Sequence, residues 1–110
     1  MANSFKRKLS RSIGTSGTAV GSYTVGSATE VTVIGLAVSN TTASQVLVEA
    51  SVYDGANDTY LIKDAPVPSG GSLVIIGGDQ KVVLEVGDSI KIKSDTASSV
   101  DVVMSILEIT

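Results

Sequence analysis

The chain has 110 residues, with eight Lys and Arg against eleven Asp and Glu, which gives a formal net charge of −3. This length fits a single domain. The sequence has no Cys and no His, which excludes disulfides, thiolate nucleophiles and the side chain that most often acts as a general base near neutral pH. We therefore expect a protein that is not an enzyme and that has no cofactor, metal ion or small-molecule substrate.

The charges are divided unevenly between the two ends of the chain. Residues 1–29 hold four basic side chains and no acid, a net +4, whereas residues 30–110 hold four Lys and eleven acids, so that 4 − 11 = −7. The basic segment continues into a stretch rich in Ser, Gly and Thr, which is typical of flexible coil. We predict a flexible basic N-terminal arm over residues 1–18 and a folded domain over residues 19–110. The arm residues expected to bind a partner are Phe5, Lys6, Arg7, Lys8 and Arg11.

The charge distribution limits the kinds of partner that this basic arm could bind. Four cations would bind nucleic acid weakly and in a salt-sensitive way, and the acidic remainder of the chain would oppose that binding. An acidic surface on a neighbouring copy of the same protein fits the charge distribution better. The arm lacks the apolar segment of a secretory signal, and the longest uncharged stretches are too short for a membrane span. We expect no membrane partner and synthesis in the cytoplasm.

Beyond the arm, the residue types favour strands. Val, Ile and Thr together account for 35 residues, and these side chains pack well on a pleated sheet but are stiff in helices. Gly35 interrupts one long apolar segment, which indicates a bulge or a close backbone approach. Turn residues separate about eight short segments with the character of strands, at residues 19–25, 29–39, 45–53, 59–64, 72–76, 80–86, 89–94 and 100–109. The pattern predicts an all-β fold, an antiparallel β-sandwich of about eight strands that resembles a jelly roll.

Two of these segments, residues 31–38 and 100–109, are apolar on both faces. A strand in a sandwich with one core needs only one apolar face. Either a second copy covers the surplus face, or these are central strands over which the arm folds. We favour the first explanation, in which the oligomer interface includes Val31, Val33, Val103, Leu107 and Ile109.

Acidic side chains cluster at several turns but form no recognisable catalytic or metal-binding motif. Asp54, Asn57 and Asp58 offer oxygen ligands within one turn, yet their spacing does not match a calcium-binding loop. Asp79 and Asp88 lie beside Gly at turns, where Asp is favoured because it bonds to nearby backbone. These residues therefore indicate hairpin turns.

Two segments carry a resemblance to a known group of proteins. Residues 1–11 (MANSFKRKLSR) and residues 60–95 (YLIKDAPVPSGGSLVIIGGDQKVVLEVGDSIKIKSD) resemble small virion structural proteins of tailed bacteriophages. The resemblance implies a β-sandwich subunit of a symmetric shell or ring, located in the virion after synthesis in the host bacterial cytoplasm. Its partners would be copies of itself and other virion proteins.

The resemblance leaves the position in the particle open. The first expectation is the neck, the head–tail connection or another tail region, and the alternative is a protein that decorates the capsid. A function of another class also stays open, namely a small β-sandwich module that binds a carbohydrate or another ligand.

Overall fold

The computed structural model describes residues 2–110, and nearly all of its regular structure is β-strand. One 3-10 turn, Val20–Ser22, interrupts the strands. Within the described residues, no helix has the length and apolar character that crossing a membrane requires. The strands are β1 (Asn3–Ile13), β2 (Thr18–Ala19), β3 (Glu30–Asn40), β4 (Val46–Tyr53), β5 (Asp58–Val67), β6 (Ser72–Ile76), β7 (Val82–Leu84), β8 (Ser89–Ser94) and β9 (Val100–Ile109).

The strands form two sheets, and all the pairings are antiparallel. Sheet A has the order β1-β9-β3-β6, with β7 also paired to β3, and sheet B has the order β2-β8-β4-β5. The chain crosses between the sheets at nearly every connection, and only β4 and β5 form a simple hairpin. When β6 and β7 are counted as one interrupted strand, this is the eight-stranded, two-sheet arrangement of a jelly roll. The predicted antiparallel β-sandwich is therefore confirmed.

The core lies between the sheets and consists of aliphatic side chains. Leu36, Met104 and Ile106 from sheet A, with Ile90 and Ile92 from sheet B, are among its largest members and are almost completely buried. Alternation along each strand places every second residue in this core. The sequence-based alternation over 45–53 is thus reproduced, since Val46, Val48 and Ala50 are buried.

Gly35 lies at a bulge, as the sequence indicates. The register between β3 and β9 shifts between Val33 and Gly35. The extra residue changes which positions face inward, so Val31 and Val33 are buried before the bulge and Leu36 and Val38 after it. A Cβ atom at Gly35 would lie 3.9 Å from that of Ser105, an ordinary contact. The bulge, rather than a close backbone approach, accounts for this position.

The N-terminal segment differs from its prediction. Instead of a flexible arm, Asn3–Ile13 forms an edge strand of sheet A that pairs with β9 from Asn3 opposite Ile109 to Ser10 opposite Val102. The backbone groups along that edge of β9 need hydrogen-bond partners, and β1 supplies them. Its polar composition gave no such signal, because strand formation here comes from tertiary pairing rather than from local preference.

The edge of sheet B at β5 is irregular. Its pairing with β4 contains two register shifts, Asp64 has a left-handed backbone conformation with φ 53°, and Pro66 lies within the strand opposite Leu47. Proline cannot donate a ladder hydrogen bond and is tolerated mainly on edge strands. The sequence predicts a strand over residues 59–64, and in the structure this strand continues to Val67.

Asn40 is a buried polar residue at the end of β3 with all its groups bonded. Its Nδ2 donates to the carbonyls of Ser44 (2.8 Å) and Val67 (3.0 Å). Its Oδ1 accepts from the backbone N–H and the hydroxyl of Thr42, both at 2.8 Å. The side chain therefore fixes the turn between β3 and β4 and ties it to β5.

We expect Asn40→Ala to lower the free energy of unfolding by about 1–3 kcal/mol, because the buried carbonyl of Val67 loses its donor. Urea unfolding followed by circular dichroism would measure the change. Ser44→Ala is the control, since it keeps the carbonyl that Asn40 uses. Equal stabilities of the two variants would contradict the role given to the Asn40 side chain.

Candidate assembly surface on sheet A

The surface of sheet A that points away from the core, here called the outer face, carries two apolar rows across the strands. In one row Leu9 lies opposite Val103, which lies opposite Ala37 and then Val74. In the other row, Phe5 lies opposite Leu107, which lies opposite Thr32 and then Val83. Between the two rows lies a strip with smaller side chains in the centre, at Ser105 and Gly35.

Most of the exposed large apolar side chains among the described residues lie on the outer face. Seven large apolar or tyrosine side chains are exposed among the described residues, and two of them, Tyr60 and Val86, lie elsewhere. The five on the outer face have exposed fractions of 76% (Phe5), 47% (Leu9), 66% (Val74), 67% (Val83) and 52% (Val103). Concentration on one face, rather than exposure as such, distinguishes this surface from an ordinary one.

The structure divides the residues predicted for the oligomer interface into two groups. Val103, Leu107 and Ile109 point outward, with Val103 half exposed and the other two partly buried. Val31 and Val33 are 1% and 0% exposed and belong to the core, so the sequence analysis placed them on the wrong face. The apolar residues of β3 before the bulge face inward, and Thr32 is the outward residue between them.

Three residues of the outer face were missed by the sequence analysis: Leu9, Val74 and Val83. Leu9 lies in the segment predicted to be flexible. A signal existed for Val74, since residues 73–76 (Leu-Val-Ile-Ile) are apolar on both faces in the same way as residues 100–109. Applying the same criterion to β6 as to β9 would have found it.

The basic residues of β1 are distributed over both of its sides. Phe5, Arg7 and Arg11 are exposed, and alternation places them with Leu9 on the outer face. Lys6 and Lys8 lie on the other side. Lys6 forms an ion pair of 3.0 Å with Glu108, and the Nζ atom of Lys8 lies 4.6 Å from the ring centroid of Tyr23. Two of the four arm cations, Lys6 and Lys8, thus contact acidic and aromatic groups of their own chain.

Glu108 is the centre of a small polar cluster that fastens β1 to the sandwich. The hydroxyl of Tyr23 donates a hydrogen bond to its carboxylate. This bond, together with the one from Lys6, lowers the pKa of Glu108 below its usual value. Burial, reinforced by the neighbouring carboxylate, raises the pKa of Tyr23. Both shifts keep the carboxylate ionised and the phenol protonated, which is the state that holds the cluster together.

Acid is expected to loosen β1 through this cluster. Because the pKa of folded Glu108 lies below the ordinary value of 4.5, its stabilising contribution is complete above that value and is lost as the pH falls through the lowered pKa. The protection factors of the β1 amides against hydrogen exchange should therefore fall below pH 4.5, and Glu108→Gln should lower them at neutral pH. Glu49→Gln, which removes an ion pair of 2.8 Å with Lys63 on sheet B, is the control. Unchanged β1 exchange in Glu108→Gln would contradict this account.

The outer face of sheet B has a different chemistry. It carries a shallow cleft of about 290 Å³ lined by polar and charged side chains, among them Glu49, Asp58, Tyr60 and Lys93. Lys91 stacks on Tyr53 with its Nζ atom 3.6 Å from the ring centroid. Among residues 2–110, no group of three or more carboxylate, His or Cys side chains is placed to hold a metal ion.

The turn after β4 is a hairpin of the kind that the sequence indicates. The carboxylate of Asp54 accepts hydrogen bonds from the backbone N–H groups of Ala56 (2.9 Å) and Asn57 (2.8 Å). These bonds lower the pKa of Asp54. The acid therefore serves the geometry of the turn.

Of the comparisons with known proteins, only the comparison of structures gives a match. No protein-family model matches the chain, and no curated protein matches it. Among solved structures, it is similar to a chain from Bacillus endospore appendages, which are described as a family of disulfide-linked pili. That similarity has a TM-score of 0.58 at 12% sequence identity and covers 98% of this chain and 88% of the other. At this identity the match supports the β-sandwich fold.

Proposed function

We propose that this protein is a non-enzymatic structural subunit that assembles with copies of itself through the outer face of sheet A. The observation that carries the proposal is the concentration of five exposed apolar side chains on that face. Burying such side chains against a second copy removes apolar surface from water at about 25 cal/mol per Å².

The size of the face suits a stable contact. Three strands of about ten residues and a fourth row made of the shorter β6 and β7, about 4.8 Å apart and with a rise of 3.3 Å per residue, present a surface of about 600 Å² in projection. A standard protein–protein interface buries about 800 Å² on each partner. The outer face is therefore large enough to supply most of one interface without help from other surfaces.

The particle in which we propose this subunit acts is the virion of a tailed bacteriophage. The support is the resemblance of residues 1–11 and 60–95 to small phage virion proteins. The neck, head–tail or tail region is the first position proposed, and the capsid surface is the alternative. The similar appendage chain belongs to pili, so a β-sandwich of this type also occurs in another assembly built from repeated subunits.

The contacts in such an assembly would not include disulfide bonds. The appendage pili are described as disulfide-linked, whereas this sequence has no Cys. Apolar burial on sheet A and strand pairing at its edge are the interactions that this chain offers in place of a disulfide link.

Sedimentation equilibrium over a range of protein concentrations would test self-assembly. We expect a discrete oligomer whose mass is an integer multiple of the 11.2 kDa subunit. A monomer at all concentrations would contradict the proposal. Electron microscopy of particles labelled on this subunit would then decide between the neck, the tail and the capsid surface.

The cleft on sheet B supports a second candidate function, the binding of a small polar ligand such as a carbohydrate. Its hydrogen-bonding groups and Tyr60 are chemically suited to a polar ligand. This function predicts a monomer whose melting temperature rises with a saccharide, and whose response is lost in Tyr60→Ala. An oligomer that is insensitive to saccharides would favour the structural function.

A further inference from the structure

Strand β1 is paired with the sandwich but contributes little to its core. Of the nineteen buried apolar residues, only Ile13 comes from β1, and residues 2–12 include no buried side chain. These residues are held by the ladder with β9, by mutual backbone hydrogen bonds of 2.8 and 2.9 Å between Ala2 and Thr110, and by polar contacts at the strand surface, among them the Lys6–Glu108 ion pair and the bond from the Ser12 N–H to Asp101. Removing them would expose the edge of β9 and leave the core almost complete.

A natural hinge lies between this segment and the body. Ser12 has a left-handed backbone conformation with φ 56°, which is uncommon for a residue with a side chain. The ladder with β9 is also irregular between Ser10 and Ile13. Immediately beyond, the carbonyls of Ile13 and Gly14 accept hydrogen bonds from Ser99 and Ser94, each 2.9 Å long. Rotation of the backbone at Ser12 would release residues 2–11 while Ile13 keeps its place in the core.

We propose that in the assembled protein residues 2–11 of one copy pair with β9 of a neighbouring copy, in place of that copy's own strand. The inference rests on the proposed self-assembly and specifies how the copies are joined. The partner is a second copy because β9 offers the same register to either strand, including Phe5 opposite Leu107 and Lys6 opposite Ile106 beside Glu108.

Reach and charge both permit this exchange. Ten released residues extend about 33 Å, and the whole subunit, with β1 in place, measures 45 Å in its longest dimension. The basic side chains of residues 2–11 would lie on a neighbour whose residues 30–110 carry a net −7, and opposite potentials favour correct docking. Exchange of an identical element requires no new contact surface, and strained hinges promote it.

The pair Arg7 and Ser105 allows a direct test, because the two residues lie opposite each other between the apolar rows and the protein has no other Cys. The variant Arg7→Cys/Ser105→Cys would be assembled, bridged with a short bis-maleimide and run on a denaturing gel. Exchange is expected to give a ladder of two or more linked chains that neither single variant, Arg7→Cys or Ser105→Cys, gives, because a single cysteine can be bridged only across the contact between outer faces. Strands that stay in their own subunit would give single, internally linked chains and would overturn the proposal.

A matched control is Ser39→Cys/Ser72→Cys, which joins β3 to β6 inside one subunit and should give internally linked single chains in every case. Absence of any bridge in the test variant, with the control fully bridged, would also overturn the exchange. The proposed function has a separate readout: a monomer by sedimentation would refute self-assembly, whereas an oligomer with single linked chains would refute the exchange alone.

Discussion

Val103→Asp is expected to leave the subunit folded and to weaken its self-association by about 100-fold or more, because an unpaired charge buried in an apolar contact costs several kcal/mol. Val103 is 52% exposed in the subunit, so the carboxylate stays in water as long as the subunit is alone. Sedimentation velocity would measure the association, and circular dichroism would verify the fold and its melting temperature.

The control for this variant is Tyr60→Asp. Tyr60 is 48% exposed and lies in β5 of sheet B, so a new carboxylate there should leave association unaltered. Wild-type association in Val103→Asp would contradict the assembly surface. Loss of folding in Val103→Asp would assign this residue to the core instead.

The second large effect is expected in the core. Leu36→Ala should lower the free energy of unfolding by about 2–5 kcal/mol, since it leaves a cavity that the surrounding strands fill only in part. Leu36 is 1% exposed and lies in β3 between Met104 of β9 and Ile76 of β6. Chemical denaturation would measure this change in the free energy of unfolding. The Val103→Asp background is used because unfolding is then not coupled to dissociation.

Val86→Ala in the same background is the comparison, with an expected change within about 0.5 kcal/mol because its side chain is exposed. A loss at Leu36 no larger than the loss at Val86 would contradict the position of Leu36 in the core.

The fold class could be predicted because alternation is a local signal. Over β4, Val46, Val48 and Ala50 recur at every second position, and the structure buries all three. The same reasoning failed for β1, where neither face is uniformly apolar and Lys6 and Lys8 point toward the sandwich. That strand exists because β9 offers an edge, and an edge is created by residues about 100 positions away.

The candidate surface was predictable in part for a related reason. Apolar residues on both faces of a strand show that something must cover each face, but they do not say which face is the core. In β3 the answer depends on the bulge at Gly35, and only the packed sandwich shows that Val31 and Val33 face inward. In β9 the inward set starts at Val100 and continues through Val102 and Met104, which leaves Val103 outside.

The irregular edge at β5 has a consequence for the kind of material that this protein can form. Pro66 and the left-handed Asp64 deprive that border of the continuous donors and acceptors that another backbone would need. The β5 edge is therefore poorly suited to pair with the edge strand of another copy to form a continuous sheet of the kind found in amyloid. Addition of a neighbouring sheet at β5 is disfavoured, and contacts between copies are left to the outer face of sheet A and to the other sheet edges.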